Sequence, residues 1–202
     1  MSLEITPDQV AAFYKHMQEH FRTRIVTKED AAGMQMIDAA LDALGVSDKE
    51  DFLDSYAMSV GDRICLPFTP GNDDEPLGNW EHILVGAHEH QRVVQYARDG
   101  MAQRGPGCLR APSARARFET EAFLASSEVQ RWRWDKPLSH RFIEKKLSTY
   151  GCSFEDLQWA QKYLTLGDKS TASGYATTEA GAVAIEWLNE HMPGLFFAAF
   201  AA

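Results

Sequence analysis

Hydrophobic positions at helical spacing dominate this chain, and one short region switches to the two-residue period of a strand. Val10, Phe13, Tyr14 and Met17 recur at intervals of three and four. Thr6-Pro7-Asp8 ahead of them supplies an N-cap, a proline at the first helical position and an acid near the positive end of the helix dipole. A second helix reads from about Lys28 to Leu44, with Met34, Ile37, Ala40, Leu41 and Leu44 on one face and Gly45 as its stop. Ser47-Asp48-Lys49-Glu50 predicts a capping box for a short third helix through Phe52.

The period changes at Ser55. Tyr56, Met58 and Val60 alternate, Gly61-Asp62 suits a turn, and Ile64, Leu66 and Phe68 alternate again, which predicts a hairpin or one kinked strand. Pro67 to Gly78 is rich in Pro, Gly and Asp and reads as a loop. Trp80 to about Arg98 is apolar and helical, ending before Asp99-Gly100. A loop at Arg104-Gly105-Pro106-Gly107 leads to a long helix from Ser113 to Trp134, with Phe118, Ala122, Ala125, Val129 and Trp132 as its apolar stripe. Three further helices follow at about Ser139–Tyr150, Ser153–Leu166 and Thr177–His191, with a loop over Gly167–Gly174. The fold class is α+β and mainly helical, with a small sheet or hairpin and a helical C-terminal part, organised as a single domain over residues 1–202.

The segment Val85-Gly86-Ala87-His88-Glu89-His90-Gln91-Arg92-Val93-Val94-Gln95-Tyr96 carries the candidate chemistry. It resembles the active helix of zincin-type metallopeptidases, in which H-E-x-x-H lies in a buried helix. Two His four apart on one helical face share a zinc ion, and the Glu between them polarises the metal-bound water. The resemblance makes His88 the first ligand and Glu89 the general base, and it implies zinc as cofactor where the site is functional. Arg92 stands where the family has its second His. Downstream, Arg117-Phe118-Glu119-Thr120-Glu121-Ala122-Phe123 resembles the segment that carries a third, glutamate ligand. The family pattern, a Glu three residues ahead of a small residue, points to Glu119, while helical geometry leaves Glu121 open. The resemblance covers about residues 55–134 and implies a zincin-like core with helical parts packed on it.

Guanidinium keeps its charge and has no lone pair to donate, so Arg92 cannot ligate zinc. The expectation is that Arg92 replaces the metal by pairing with Glu89, Glu119 or both, giving a degenerate site without normal zinc-dependent peptidase activity and no bound cofactor. His90 is two residues from His88 and points about 200° away on a regular helix, so it joins a metal site only through distortion. Two readings stand beside this one: an active zinc peptidase with unusual ligands, and a non-catalytic interaction protein that holds a peptide or protein partner in the former cleft or on its apolar C-terminus.

Composition narrows the partners. Hydrophobic residues make up 45% of the chain, enough for a core, and the formal net charge is -9, which argues against binding duplex nucleic acid. Arg110, Arg115, Arg117, Arg131 and Arg133 gather in one stretch and read as a solvated, salt-bridged helix face. Cys65, Cys108 and Cys152 are odd in number and lack C-x-x-C spacing, as thiols in a reducing compartment would be. The first residues show no leader pattern and no apolar run is long enough for a membrane span, so the expected location is cytoplasmic. Leu195-Phe196-Phe197-Ala198-Ala199-Phe200 is apolar at the end of the sequence, and reads either as docked on the core or as an interface, a contact between copies of the chain included.

Overall fold

The computed structural model describes residues 4–26, 30–44, 57–72, 77–104 and 111–196. The chain is mainly helical with a small three-stranded sheet. Helix α1 (Pro7–Phe21) begins as its sequence dictates. The Thr6 side chain accepts from the Gln9 amide, and the Gln9 side chain accepts from the Thr6 amide, closing a capping box. Strand β1 (Arg24–Val26) follows, then helix α2 (Ala31–Leu44). The predicted helix from Ser47 to Phe52, with Gly45 and Tyr56, lies outside the described residues.

The predicted hairpin forms. Strands β2 (Met58–Val60) and β3 (Arg63–Cys65) pair antiparallel, Met58 opposite Cys65, across a turn in which Gly61 takes a φ of 61°. That left-handed backbone is the conformation glycine adopts without steric cost. β1 joins the other edge of β3 in parallel, Ile25 beside Ile64, giving the order β1-β3-β2. Three residues are too few to show a period, which is why β1 escaped the sequence pattern. Met58 and Val60 pack with Ile37 and Leu41 of α2, while Ser59 is buried on the opposite face of β2.

The remaining helices are α3 (Asn79–Arg104), α4 (Pro112–Trp134), α5 (His140–Thr149), α6 (Phe154–Ala172) and α7 (Glu179–His191), with a 3-10 turn at Pro193–Leu195. Regular geometry in α3 is broken at Gly100, whose φ of 73° and ψ of 157° lie outside the helical region, so the expected stop beside Asp99 marks a real kink. Among the described residues no helix is long and apolar enough to cross a membrane.

The loop expected over Gly167–Gly174 is corrected: α6 continues through Ala172. Gly167 serves close packing instead of termination. A Cβ on Gly167 would sit 2.5 Å from Leu124 Cδ1, so its absence lets α6 approach α4.

Helix α4 lies between two cores. Phe13, Met17, Ile83, Ala87, Val129 and Trp187 belong to the larger, built from α1, α3, α4 and α7. Leu124, Ile143, Leu147, Ala160 and Leu164 form the second, from α4, α5 and α6. Because apolar neighbours cover α4 on both sides, its buried surface is wider than the predicted stripe and takes in Glu119, Thr120, Ser126, Ser127 and Glu128. Polar groups in such a place require partners. Glu128 has them: the backbone amides and hydroxyls of Thr177 and Thr178 all donate to its carboxylate at the start of α7.

Candidate active site

Helix α3 carries His88, Glu89 and Arg92 within one turn and packs them against α4, which brings Glu119. The four side chains form a ring. Arg92 Nη1 donates to Glu119 Oε1 at 2.7 Å, and Arg92 Nε lies 3.9 Å from Glu89 Oε2. The other oxygen of each carboxylate faces His88: Nε2 is 3.4 Å from Glu119 Oε2 and 3.9 Å from Glu89 Oε1. Each carboxylate thus offers one oxygen to the guanidinium and the other to the imidazole. Ser59 on β2 completes the arrangement, its hydroxyl donating to Glu89 Oε2 at 2.5 Å and approaching the Glu89 carbonyl at 3.2 Å.

Burial gives these charges weight. The side chains of Glu89 and Glu119 are 4% and 7% exposed, and that of Arg92 is 16% exposed. Burial by itself would raise the Glu119 carboxyl pKa, but the guanidinium of Arg92, with His88 and Arg115 adding to it, outweighs that and holds it at about 2. Burial opposes the charge of Arg92 in turn, and Glu119 and Glu89 reverse the effect, raising its pKa above the ordinary value. The ion pair is therefore charged on both sides at neutral pH.

The other candidate residues go elsewhere. Glu121 accepts from Gln91 Nε2 at 2.8 Å and from both Nη atoms of Arg98 at 2.8 and 3.0 Å, apart from the ring. His90 is buried on the far side of α3, with Nδ1 2.7 Å from the Gly86 carbonyl and Nε2 3.0 Å from Thr23 Oγ1. Burial lowers its pKa to about 4 against the opposing pull of the Gly86 carbonyl. His82, two turns earlier, stacks on Phe68 with ring centres 3.9 Å apart. The arginines of α4 take separate partners: Arg115 donates to the Tyr150 carbonyl, Arg117 lies over Trp159, Arg131 is 3.6 Å from Asp135, and Arg133 sits between Trp80 and Trp134. Arg110 lies outside the described residues.

The ring forms the floor of a cavity of about 480 Å³. Phe68, Leu84 and Phe123 line it from the sheet side, α3 and α4, and α5 adds Phe142, Lys146 and Tyr150. Phe123 meets His88 edge-on at 4.8 Å and Phe142 at 6.3 Å. Sequence reasoning did not find Ser59 or the α5 wall. Ser59 had one signal, its place opposite Met58 and Val60 in the alternation. The α5 residues had none, because only tertiary packing sets them over the floor.

The donor set does not fit a zinc ion. Three protein ligands are the usual minimum for a catalytic zinc. The place one turn beyond His88 holds a guanidinium already bonded to Glu119. Among the described residues no three His, Cys, Asp or Glu side chains are grouped so as to hold a metal ion. Compared with known proteins, the chain matches no family model, no curated protein and no solved structure.

Proposed function

We propose that this chain is a zincin-type domain whose metal position is filled by the Arg92 guanidinium, and that it acts by binding a peptide or protein partner in the cleft without hydrolysing it. The observation that carries this reading is the 2.7 Å bond between Arg92 Nη1 and Glu119 Oε1, made one helical turn from His88. It joins the residue in the second-ligand position to the residue in the third-ligand position. Glu89, the general base of the resemblance, has one oxygen engaged: Ser59 donates to Oε2, and Arg92 stands 3.9 Å from the same atom. Hydrolysis of the zincin kind needs a metal ion that coordinates the attacking water and polarises the substrate carbonyl, and a guanidinium offers a coordination position to neither. The aromatic and aliphatic walls above the ring remain a pocket of the size and character that binds ligands.

The test is metal content. The natural protein purified without chelator is expected to hold no stoichiometric zinc, and Arg92→His to take it up. Stoichiometric zinc in the natural protein would overturn the reading.

A further inference from the structure

Helix α5 runs against the charge of the chain. The net charge is -9, yet α5 carries Arg141, Lys145 and Lys146 against the single carboxylate of Glu144, besides His140, whose Nε2 lies 2.7 Å from Asp168. At about 100° per residue, Arg141, Phe142, Lys145 and Lys146 fall within an arc of about 140°, opposite the buried Ile143 and Leu147, and Glu144 lies outside that arc. Arg141 and Lys145 are exposed, and Phe142 between them is 45% exposed. Lys146 is half-buried, its ammonium 5.8 Å from the centre of the Phe142 ring. Among the described residues no carboxylate stands within ion-pair distance of Arg141, Lys145 or Lys146. The same face borders the cavity: Phe142 and Lys146 belong to its wall, and Phe142 meets Phe123 edge-on.

We propose that α5 is an interaction surface for an acidic peptide segment of a protein partner, with its carboxylates on Arg141, Lys145 and Lys146 and an apolar residue between them on Phe142. The inference rests on the reading of the cleft as a binding site, and it names the chemistry of the partner. A guanidinium offers a carboxylate two parallel donors, and each ammonium offers three. Exposed ion pairs are weak one at a time. Covering the phenyl ring in their midst adds apolar burial to the polar contacts. The negative charge of the rest of the chain acts weakly at this face, because physiological salt screens charges beyond about 8 Å. A membrane suits the face less well: a flat anionic surface laid on a ten-residue helix also meets its acidic surroundings, whereas a peptide follows α5 and the edge of the cavity.

Fluorescence anisotropy of the full chain with three labelled peptides tests this: one of alternating Glu and Leu, and the same peptide with Gln or with Lys in place of Glu. The Glu peptide is expected to bind about ten-fold tighter than the Gln peptide, from three weak ion pairs acting together, and the Lys peptide weakest. The preference should vanish in about 0.5 M salt, and in the double variant Arg141→Glu with Lys145→Glu. Lys15→Glu with Lys162→Glu changes the net charge equally at exposed positions of α1 and α6, and should leave the preference intact. Equal binding of the Glu and Gln peptides, no binding of the Glu peptide, or equal loss in both double variants overturns the inference. Co-sedimentation with vesicles of phosphatidylserine in phosphatidylcholine, without binding of the Glu peptide, overturns it in favour of a membrane. Should the α5 variant not fold, the comparison of Glu with Gln peptide on the natural protein decides. Zinc in the natural protein would instead overturn the metal-free reading, so the two failures are distinguishable.

Discussion

Arg92 and His88, one turn apart on α3, face opposite oxygens of a single carboxylate: Arg92 Nη1 lies 2.7 Å from Glu119 Oε1, and His88 Nε2 lies 3.4 Å from Oε2. The carboxylate is thereby fixed in orientation by two residues of the neighbouring helix. Helices α3 and α4 are tied together beside the cavity through a buried carboxylate and two half-buried cationic or polar side chains.

A buried ion pair is more costly to break than to replace. Arg92→Met leaves Glu119 charged and without its cation, and should reduce unfolding free energy by about 3–5 kcal/mol. Adding Glu119→Gln removes the stranded charge and should restore a substantial part of that loss. Urea denaturation of the two single variants and the double variant checks the coupling. Strictly additive losses would mean that the two side chains do not depend on each other.

Stability should fall as the medium becomes acidic, in two stages. His90 has a folded pKa of about 4 against an ordinary 6.5, so the unfolded chain binds the proton first and stability is lost as pH drops from 6.5 towards 4. Glu119 has a folded pKa of about 2 against 4.5, so its contribution is complete above 4.5 and is lost as pH falls from there towards 2. Urea midpoints measured from pH 7 to pH 3 should decline throughout, and His90→Gln should flatten the upper stage. A midpoint that rises between pH 6.5 and pH 4 would contradict the neutral, buried state of His90.

Gly167 tests the packing of the second core. Gly167→Ala places a methyl group 2.5 Å from Leu124 Cδ1 and should destabilise the protein by about 1–3 kcal/mol, although alanine is the better helix former. Leu124→Val beside it removes part of the obstruction and should recover some of the loss. A stabilised Gly167→Ala would show that the contact between α4 and α6 is looser than described.

The parts of this architecture that the sequence made visible are those set by local period. His88, Glu89 and Arg92 had to share a helical neighbourhood because they lie one and four residues apart, and the hairpin around Gly61 was written in alternating Met58, Val60, Ile64 and Leu66. Glu119 came from the resemblance of its segment, not from geometry, which left Glu121 open. The choice between the two depends on how α4 is rotated, and that rotation follows from having a core on each side. β1 was invisible because its pairing with β3 is long-range and three residues long. Gly167 misled because glycine also serves close approach, a purpose that shows only when Leu124 stands opposite it.

Elemental analysis of the natural protein and of Arg92→His, both purified without chelator or metal-affinity resin, decides whether arginine or zinc fills the site. The natural protein should hold less than about a tenth of an equivalent of zinc, a threshold for adventitious metal, and the variant close to one equivalent, where a second imidazole joins His88 and Glu119. Stoichiometric zinc in the natural protein, or a variant that remains free of metal, would contradict the assignment to arginine.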